Sequence, residues 1–384
     1  MKLKACSLVF SSQLPEREFP GLGASRPRFL LPFAGRFTYL DMFLSPLVRA
    51  GVRSHLVVTQ QYAEMTHTYL ETAWGGDENF KVFPFMPETG EVPFDSQMYS
   101  VFKSELAPYV FFGQVDHPCW FEMSELVSEM RMRVKGVQPV FGKKAAGVLL
   151  VERGELLDVL SQMVKKAVPT SRVLEKAFQI LSKGERVRQL AVEGYYLQIQ
   201  NLQEYITANM AILQQQEQFR ALFTRVPLQS GISGKAQATI EGTASFYRSS
   251  LADRCVVRGN IYDSVLFPGV EVGKNSEVRD SVILPGVRIG DNVRIARCMV
   301  DTAVDLPQNI KVHIADGVKI GNQKSRAENR EYPGVLHDGF TFIGSGTVIP
   351  KGVVIGGGCH VAPATPKPVF SRHKTLADGR SLAK

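Results

Sequence analysis

An α/β domain with a mostly parallel sheet, followed by a left-handed parallel β-helix of hexapeptide repeats, is the fold that these 384 residues predict. Three observations carry it. Apolar runs alternate with helical patterns through the first half of the chain, the rhythm of strand–helix–strand units. Residues 264–280 (SVLFPGVEVGKNSEVRD) and 281–297 (SVILPGVRIGDNVRIAR) repeat one another, sharing seven of seventeen positions. Within each copy the β-branched residues fall six apart, Val272 and Val278, then Ile289 and Ile295. A six-residue beat winds three short strands into each turn of a coil, with the β-branched side chain pointing inward. Gly273 and Gly290 follow the first of each pair, at corners that a Cβ would block. The beat returns at Ile343, Ile349 and Ile355, and more faintly at Ile314 and Ile320.

In chain order, 5–10 is an apolar run fit for a central strand, although MKLKACSLVFSS has a faint look of a signal peptide. A polar stretch leads to the apolar run 29–33. Residues 40–50 read as a helix ended by Gly51, 55–59 (HLVVT) as a second buried strand and 63–74 as another helix. Residues 75–97 carry Gly75, Gly76, Pro84, Pro87, Gly90 and Pro93 and read as loop. Strands are expected at 109–112 and 146–151, and helices at 122–134, 155–166 and 171–182. A last helix over 201–223 opens on Asn201 and Glu204, a capping signature. The division is a first domain over 1–223, a linker over 224–234, the coil over 235–362 and a flexible, solvated tail over 363–384. That tail holds Lys367, Arg372, Lys374, Arg380 and Lys384 against Asp378 alone.

The totals agree with two domains. A hydrophobic share of 44% and a charged share of 21% are ordinary for a globular protein. Five scattered cysteines without a C-x-x-C pair suit free thiols in a reducing cytoplasm. No apolar window has the length of a membrane span. The net charge of +8 is dispersed, with no basic stripe interleaved with aromatics, which argues against nucleic acid. A positive surface equally suits phosphorylated small molecules.

The stretch 26–45, RPRFLLPFAGRFTYLDMFLS, resembles the signature of the glucose-1-phosphate adenylyltransferase (ADP-glucose pyrophosphorylase) family, K/R-P…P-F-G-G-K/R-Y-R-L-I-D-F-x-L-S-N. Arg26, Pro27, Pro32, Phe33, Gly35, Arg36, Asp41, Leu44 and Ser45 match, whereas Ala34 replaces a Gly and Pro46 the Asn. The spacing from Arg26 to Pro32 is closer to the family's regulatory-subunit branch. The resemblance implies a nucleotidyltransferase Rossmann-like mixed sheet, and places Arg26, Pro32, Phe33, Gly35, Arg36, Asp41 and Ser45 in the nucleotide and sugar-phosphate region.

Family enzymes join a sugar 1-phosphate to ATP with release of pyrophosphate, a reaction run by positioning and by neutralising negative charge with magnesium and cations. Against that pattern four pieces can be compared here. The phosphate cradle G-G-x-G-T-R-L becomes Ser11-Ser12-Gln13-Leu14, with glycines only at Gly21 and Gly23. The first metal carboxylate aligns with Asp116, beside His117. The second, in G-Y-W-x-D-V-G-T, becomes Gln198, and a neutral amide supplies neither the charge nor the affinity for magnesium. The sugar-phosphate segment upstream of 145–151 is deleted, leaving Lys143 and Lys144 nearby.

The resemblance with these losses implies a non-catalytic or weakly catalytic regulatory or assembly subunit in glycogen biosynthesis. It would be cytoplasmic, need no cofactor, and use magnesium only if some activity remains. Its partners would be a homo- or hetero-oligomer containing a catalytic subunit and a sugar-phosphate or nucleotide effector, with neither nucleic acid nor membrane. Arg258, Arg279, Arg294 and Arg297 on the coil are the effector candidates, since Arg suits phosphate forks. Three rival readings stand beside it. One is an active transferase with a rebuilt site using Asp116 and Glu122. Another is a hexapeptide acyltransferase with His313, His337 or His360 as base. The third is a purely structural scaffold.

Overall fold

The strand that orders the first domain is β1 (Ala5–Phe10), buried along nearly its whole length. The computed structural model describes all residues except 1–3, 25, 60, 76–78, 85–91, 131–133, 186, 215–229, 231–235, 302–312 and 384. Around β1 lie β2 (His55–Thr59), β3 (Phe80–Pro84), β4 (Tyr109–Gln114), β5 (Gly136–Phe141), β6 (Val148–Glu152) and β7 (Val187–Ala191). Their spatial order is β7-β5-β6-β4-β1-β2-β3. β1 is parallel to both β2 and β4, while β6 runs antiparallel to both β4 and β5, so the sheet is mixed. β2 and β4 read as unbroken apolar runs because helices cover both faces of the sheet.

The helices are α1 (Tyr39–Arg49), α2 (Ala63–Trp74), α3 (Ser96–Glu105), α4 (Met123–Met130), α5 (Arg153–Lys165), α6 (Thr170–Ser182) and α7 (Leu202–Met210). Two lie where the sequence reads otherwise. Residues 75–97, expected as loop, contain β3 and the start of α3. β3 is an edge strand with no fully buried residue, so it lacks the apolar signature, and its Pro84 sits where an edge tolerates it. Asp95 caps α3 by accepting from the Met98 N–H at 2.9 Å. The expected helix over 201–223 is α7 followed by a 3₁₀ turn at Ala211–Leu213. Its remainder, 215–223, lies outside the described residues, as does most of the expected linker.

The coil is three stacks of two- and three-residue strands, six, seven and seven deep. The two sequence copies lie one above the other, Val272 on Ile289, Val278 on Ile295 and Leu266 on Ile283. Each inward column is apolar from end to end, as in Phe246-Ile261-Val278-Ile295-Ile320-Ile355-Leu376. Repeated serines bind successive turns, for the Ser264 hydroxyl accepts from the Ser281 N–H, and that of Ser281 from the Cys298 N–H, each at 3.1 Å. Gly273 has an ordinary φ, but a Cβ there would sit 2.4 Å from the Gly290 carbonyl oxygen, so close approach demands glycine. The left-handed corners themselves fall on Asp263, Asp280 and Arg297.

The stretch 363–384, expected as a solvated tail, is instead the last turn of the coil. Helix α8 (Lys367–Arg372) buries Phe370, and Thr375–Leu376 and Ser381–Leu382 pair with the preceding turn. Its Phe370, Leu376 and Leu382 are buried in the core with Val369 packed against them, and its described charges face outward.

The third stack joins the domains. Its outward column, Val265-Val282-Met299-Phe342, is apolar, and these residues share one core cluster with Phe29, Phe43, Leu47 and Ile206 of the first domain. Inside the junction Arg26 meets Asp301 at 2.6 Å, both side chains inaccessible to solvent. Removing one member of such a pair strands a charge in low dielectric. Asp301→Ala should therefore cost about 3–5 kcal/mol in urea denaturation; a loss below ~1 kcal/mol would show that the junction does not depend on the pair.

Candidate functional site

In open sheets of this kind ligands sit beyond the carboxyl ends of the strands. Here that place lies past β1 and β4, where Ser11–Leu14 and Val115–His117 leave the sheet. Asp116 is 7% exposed and its carboxylate is bound on both oxygens. The Ser12 N–H donates to Oδ1 at 2.8 Å, the Ser12 hydroxyl to Oδ2 at 2.6 Å and the Gln114 amide to Oδ2 at 2.9 Å. The Asp116 side chain thus closes the loop where a triphosphate cradle would open.

Arg28 completes the closure. Its Nε donates to the Asp116 carbonyl at 2.8 Å and one terminal nitrogen to the Ile199 carbonyl at 2.9 Å, while the guanidinium stands over Phe19. These bonds tie together the two segments that carry the family's metal positions. The Ile199 N–H donates to His117 Nδ1 at 3.1 Å, and Gln198, one residue earlier, is exposed. Burial, reinforced by Arg28, pushes His117 down to about 4, so its ring is neutral at pH 7. Aromatic rings pack the surroundings: Tyr196 lies edge-on to His117 and stacks on Phe141.

Magnesium in this family's arrangement is held by two carboxylates. Asp116 accepts three hydrogen bonds from neutral donors, one on Oδ1 and two on Oδ2, and position 198 carries no charge. With one carboxylate in place of two, the residues present do not fit that arrangement. Among the described residues no group of three or more His, Cys, Asp or Glu side chains is arranged to hold a metal.

A small cleft remains beside Ser12, Gln13, Leu14, Thr59, Gln61 and Tyr62, with a volume of about 100 Å³. Sites for drug-sized ligands run from about 300 Å³ upward, so this cleft is smaller than such a site.

The residues matched to the nucleotide region lie mainly at the junction with the coil. Arg26 faces Asp301, and Arg36 reaches Asp253 at 3.4 Å. Pro32 and Phe33 pair with Thr38 and Phe37 in a tight hairpin, whose turn is the left-handed pair Ala34 and Gly35. Asp41 is buried in the capping box of α1, accepting from the Thr38 N–H at 2.8 Å and from the Tyr69 hydroxyl. Ser45 donates to the Asp41 carbonyl at 2.7 Å. Lys143 and Lys144 lie at a tight hairpin, with Val140 facing Ala145.

On the coil, Arg258 forks onto Glu241 at 2.8 and 3.2 Å. Arg279 bonds Glu277 at 3.1 Å and lies 4.0 Å over the Tyr262 ring. Arg294 is exposed, and Arg297 stands 5.1 Å over Phe340. The Arg297 N–H donates to the Arg279 carbonyl at 3.0 Å and Arg294 lies opposite Glu277 in the strand pairing, so these three lie on adjacent turns of one stack, while Arg258 follows a strand of another. The three coil histidines are dispersed. His313 is exposed, His337 bonds Asp338 at 2.8 Å, and His360 is buried against Phe342 and Tyr332.

The residues missed from sequence are Arg28, Ser12 and Gln114. Arg28 stands two places from the matched Arg26, and an unassigned cation there was the one signal available.

By fold, then, the chain is a nucleotidyltransferase-like domain joined to a hexapeptide coil. Residues 235–343 match the family model described as GlmU-like, C-terminal hexapeptide. Among curated proteins it is 26% identical over 177 residues to the glucose-1-phosphate adenylyltransferase of Acetivibrio thermocellus, covering 46% of this chain and 39% of the relative. The corresponding enzyme of Halalkalibacterium halodurans is 27% identical over 148 residues, 38% of each chain. The glycogen biosynthesis protein GlgD of Bacillus subtilis is 21% identical over 270 residues, 67% of this chain and 78% of the relative. The chain is a homologue, at low identity, of glucose-1-phosphate adenylyltransferases and GlgD. No helix among the described residues is long and apolar enough to cross a membrane.

Burial also pushes His360 down to about 4. Between pH 6.5 and 4 the unfolded chain takes up a proton at this ring that the folded chain refuses, so stability falls as pH falls through that window. Asp41, raised to about 6 by burial, acts in the opposite sense over part of it. The contribution of His360 is isolated by comparing the unaltered chain with His360→Phe. The unaltered chain should lose on the order of 3 kcal/mol more between pH 7 and 4, read by urea denaturation at each pH. Parallel curves for the two proteins would rule this out.

Proposed function

We propose that this chain is a catalytically degraded relative of glucose-1-phosphate adenylyltransferase that serves as a regulatory or assembly subunit in glycogen biosynthesis. The observation that carries the reading is the state of Asp116. The one carboxylate left at the family's metal positions spends both oxygens on Ser12 and Gln114, while its former counterpart is Gln198. Magnesium lacks the second anionic ligand and the triphosphate its cradle. Removing a single well-placed contact to developing charge costs about 10²–10³ in rate, and here several are missing together. Similarity to GlgD, a protein named for glycogen biosynthesis rather than for a reaction, supports the same reading.

Assembly is the second half of the proposal. The first turn of the coil leaves the inward residues Ile240 and Phe246 at 43% and 53% exposure, and Tyr247 beside them at 60%. Their counterparts one turn on, Val257 and Ile261, are buried. An apolar column open at its end is a surface that association would cover. A catalytic adenylyltransferase subunit is the partner proposed.

The purified chain, given ATP, glucose 1-phosphate and magnesium, should form ADP-glucose at a rate indistinguishable from background. Gln198→Asp alone should not restore the reaction, because the phosphate cradle is still missing. A turnover near one per second from the unaltered chain, on the scale of ordinary enzymes, ends the proposal.

A further inference from the structure

One turn of the coil passes from the second stack (Arg294–Ala296) to the third (Cys298–Val300) on Arg297 alone. In the next turn the same passage, from Lys319–Ile320 to Thr341–Ile343, takes in all of 321–340. This longer connection reaches the first domain. Leu336 is buried in the shared core, the Gln203 N–H donates to the Val335 carbonyl at 3.1 Å, and the His337 N–H donates to the Gln203 side-chain oxygen at 3.2 Å. Gln203 stands in the first turn of α7, just past Ile199, whose N–H bonds His117 and whose carbonyl bonds Arg28.

The third stack holds a second segment of the same site. Residues 15–23 follow Ser12 and the cleft-lining Leu14, cross the coil, and return to the cleft at Gly23. On the way the His360 Nε2–H donates to the Pro20 carbonyl at 3.3 Å. Gly21, at φ +74°, comes so close that a Cβ would stand 2.9 Å from the Pro363 ring and 3.2 Å from that of Phe342. The two held segments also meet each other, since the Leu202 N–H donates to the Glu18 carbonyl at 2.8 Å. Phe19, between them, lies under the Arg28 guanidinium. The coil therefore grips both segments that close over Asp116.

We propose that the coil is the clasp of the cleft. Residues 321–340 and His360 hold the start of α7 and 15–23 where they must lie for Ser12 to bond Asp116 and Arg28 to bond Ile199, and these bonds loosen when the coil lets go. Coupling of this kind is reciprocal, so whatever displaces 321–340 loosens the cleft, and whatever loosens the cleft frees 321–340. As regulation, the clasp rests on the subunit role proposed above, and it gives a partner bound to the coil a route to the cleft. As a physical link it does not depend on that role. Packing without a clasp would behave differently, for it would steady the first domain evenly, with no preference for Ser12 or Ile199.

The test is amide hydrogen exchange on the full chain, with neither substrate nor partner, so its failure is distinguishable from failure of the subunit role. The double variant Gln203→Met/His360→Phe keeps side-chain bulk and removes both side-chain bonds to the clasp. Exchange at the Ser12 and Ile199 amides should speed about tenfold, the effect of two hydrogen bonds at their usual net strength. Amides of β2, at the centre of the sheet, should keep their rates. Ile289→Val, which weakens the core of the coil away from the junction, should leave Ser12 and Ile199 unchanged. In return, Ser12→Ala should speed exchange at Gln203 and His337 about tenfold. Unchanged rates at Ser12 and Ile199 in the double variant overturn the proposal. So does an equal rise in Ile289→Val or across β2, and so do unchanged rates at Gln203 and His337 in Ser12→Ala.

Discussion

A carboxylate that has found its hydrogen bonds at home is the constraint on which the first domain turns. Asp116 lies at the end of β4, and Ser12 just past the end of β1, 104 residues earlier. Their two bonds, with that from Gln114, fix the loop that leaves the central strand. Arg28 then anchors on the backbone of Asp116 and of Ile199 and holds the segment around Gln198 against the same spot. A buried charge must be met by donors or by a counter-ion. Here the protein's own donors meet it.

The second organising feature is the junction. The signature segment between Arg26 and Ser45 lies against the coil, with Arg26 on Asp301, Arg36 near Asp253 and the body of α1 in the shared core. Residues whose resemblance points to phosphate binding therefore hold two domains together. Their part in the structure is to fix the coil to the first domain.

Much of this was legible in the sequence because it is periodic. The inward columns of the coil follow from the six-residue beat, and the central strands from unbroken apolar runs. Even the junction left a trace. Val265-Leu266-Phe267 and Val282-Ile283-Leu284 are apolar at successive positions, the mark of a strand buried on both faces, whereas Glu271-Val272 and Arg288-Ile289 alternate. What escaped was aperiodic. β3 is a half-exposed edge with no repeat to announce it, and the last turn of the coil hides its buried apolar residues among cations. Ser12, which gives Asp116 two of its three hydrogen bonds, comes from a distant loop, so no local pattern could reveal them. Gln198 was visible as a lost charge, but the closing of the loop by Ser12 and Arg28 needed the fold.

The most direct test of the account is whether a divalent ion and a nucleotide still meet at Asp116. Manganese is a paramagnetic stand-in for magnesium, and its spectrum in an electron paramagnetic resonance titration with ATP distinguishes ions held by protein from those held by nucleotide alone. The account predicts the same spectrum with and without the protein. A protein-bound signal that disappears in Asp116→Asn would contradict it.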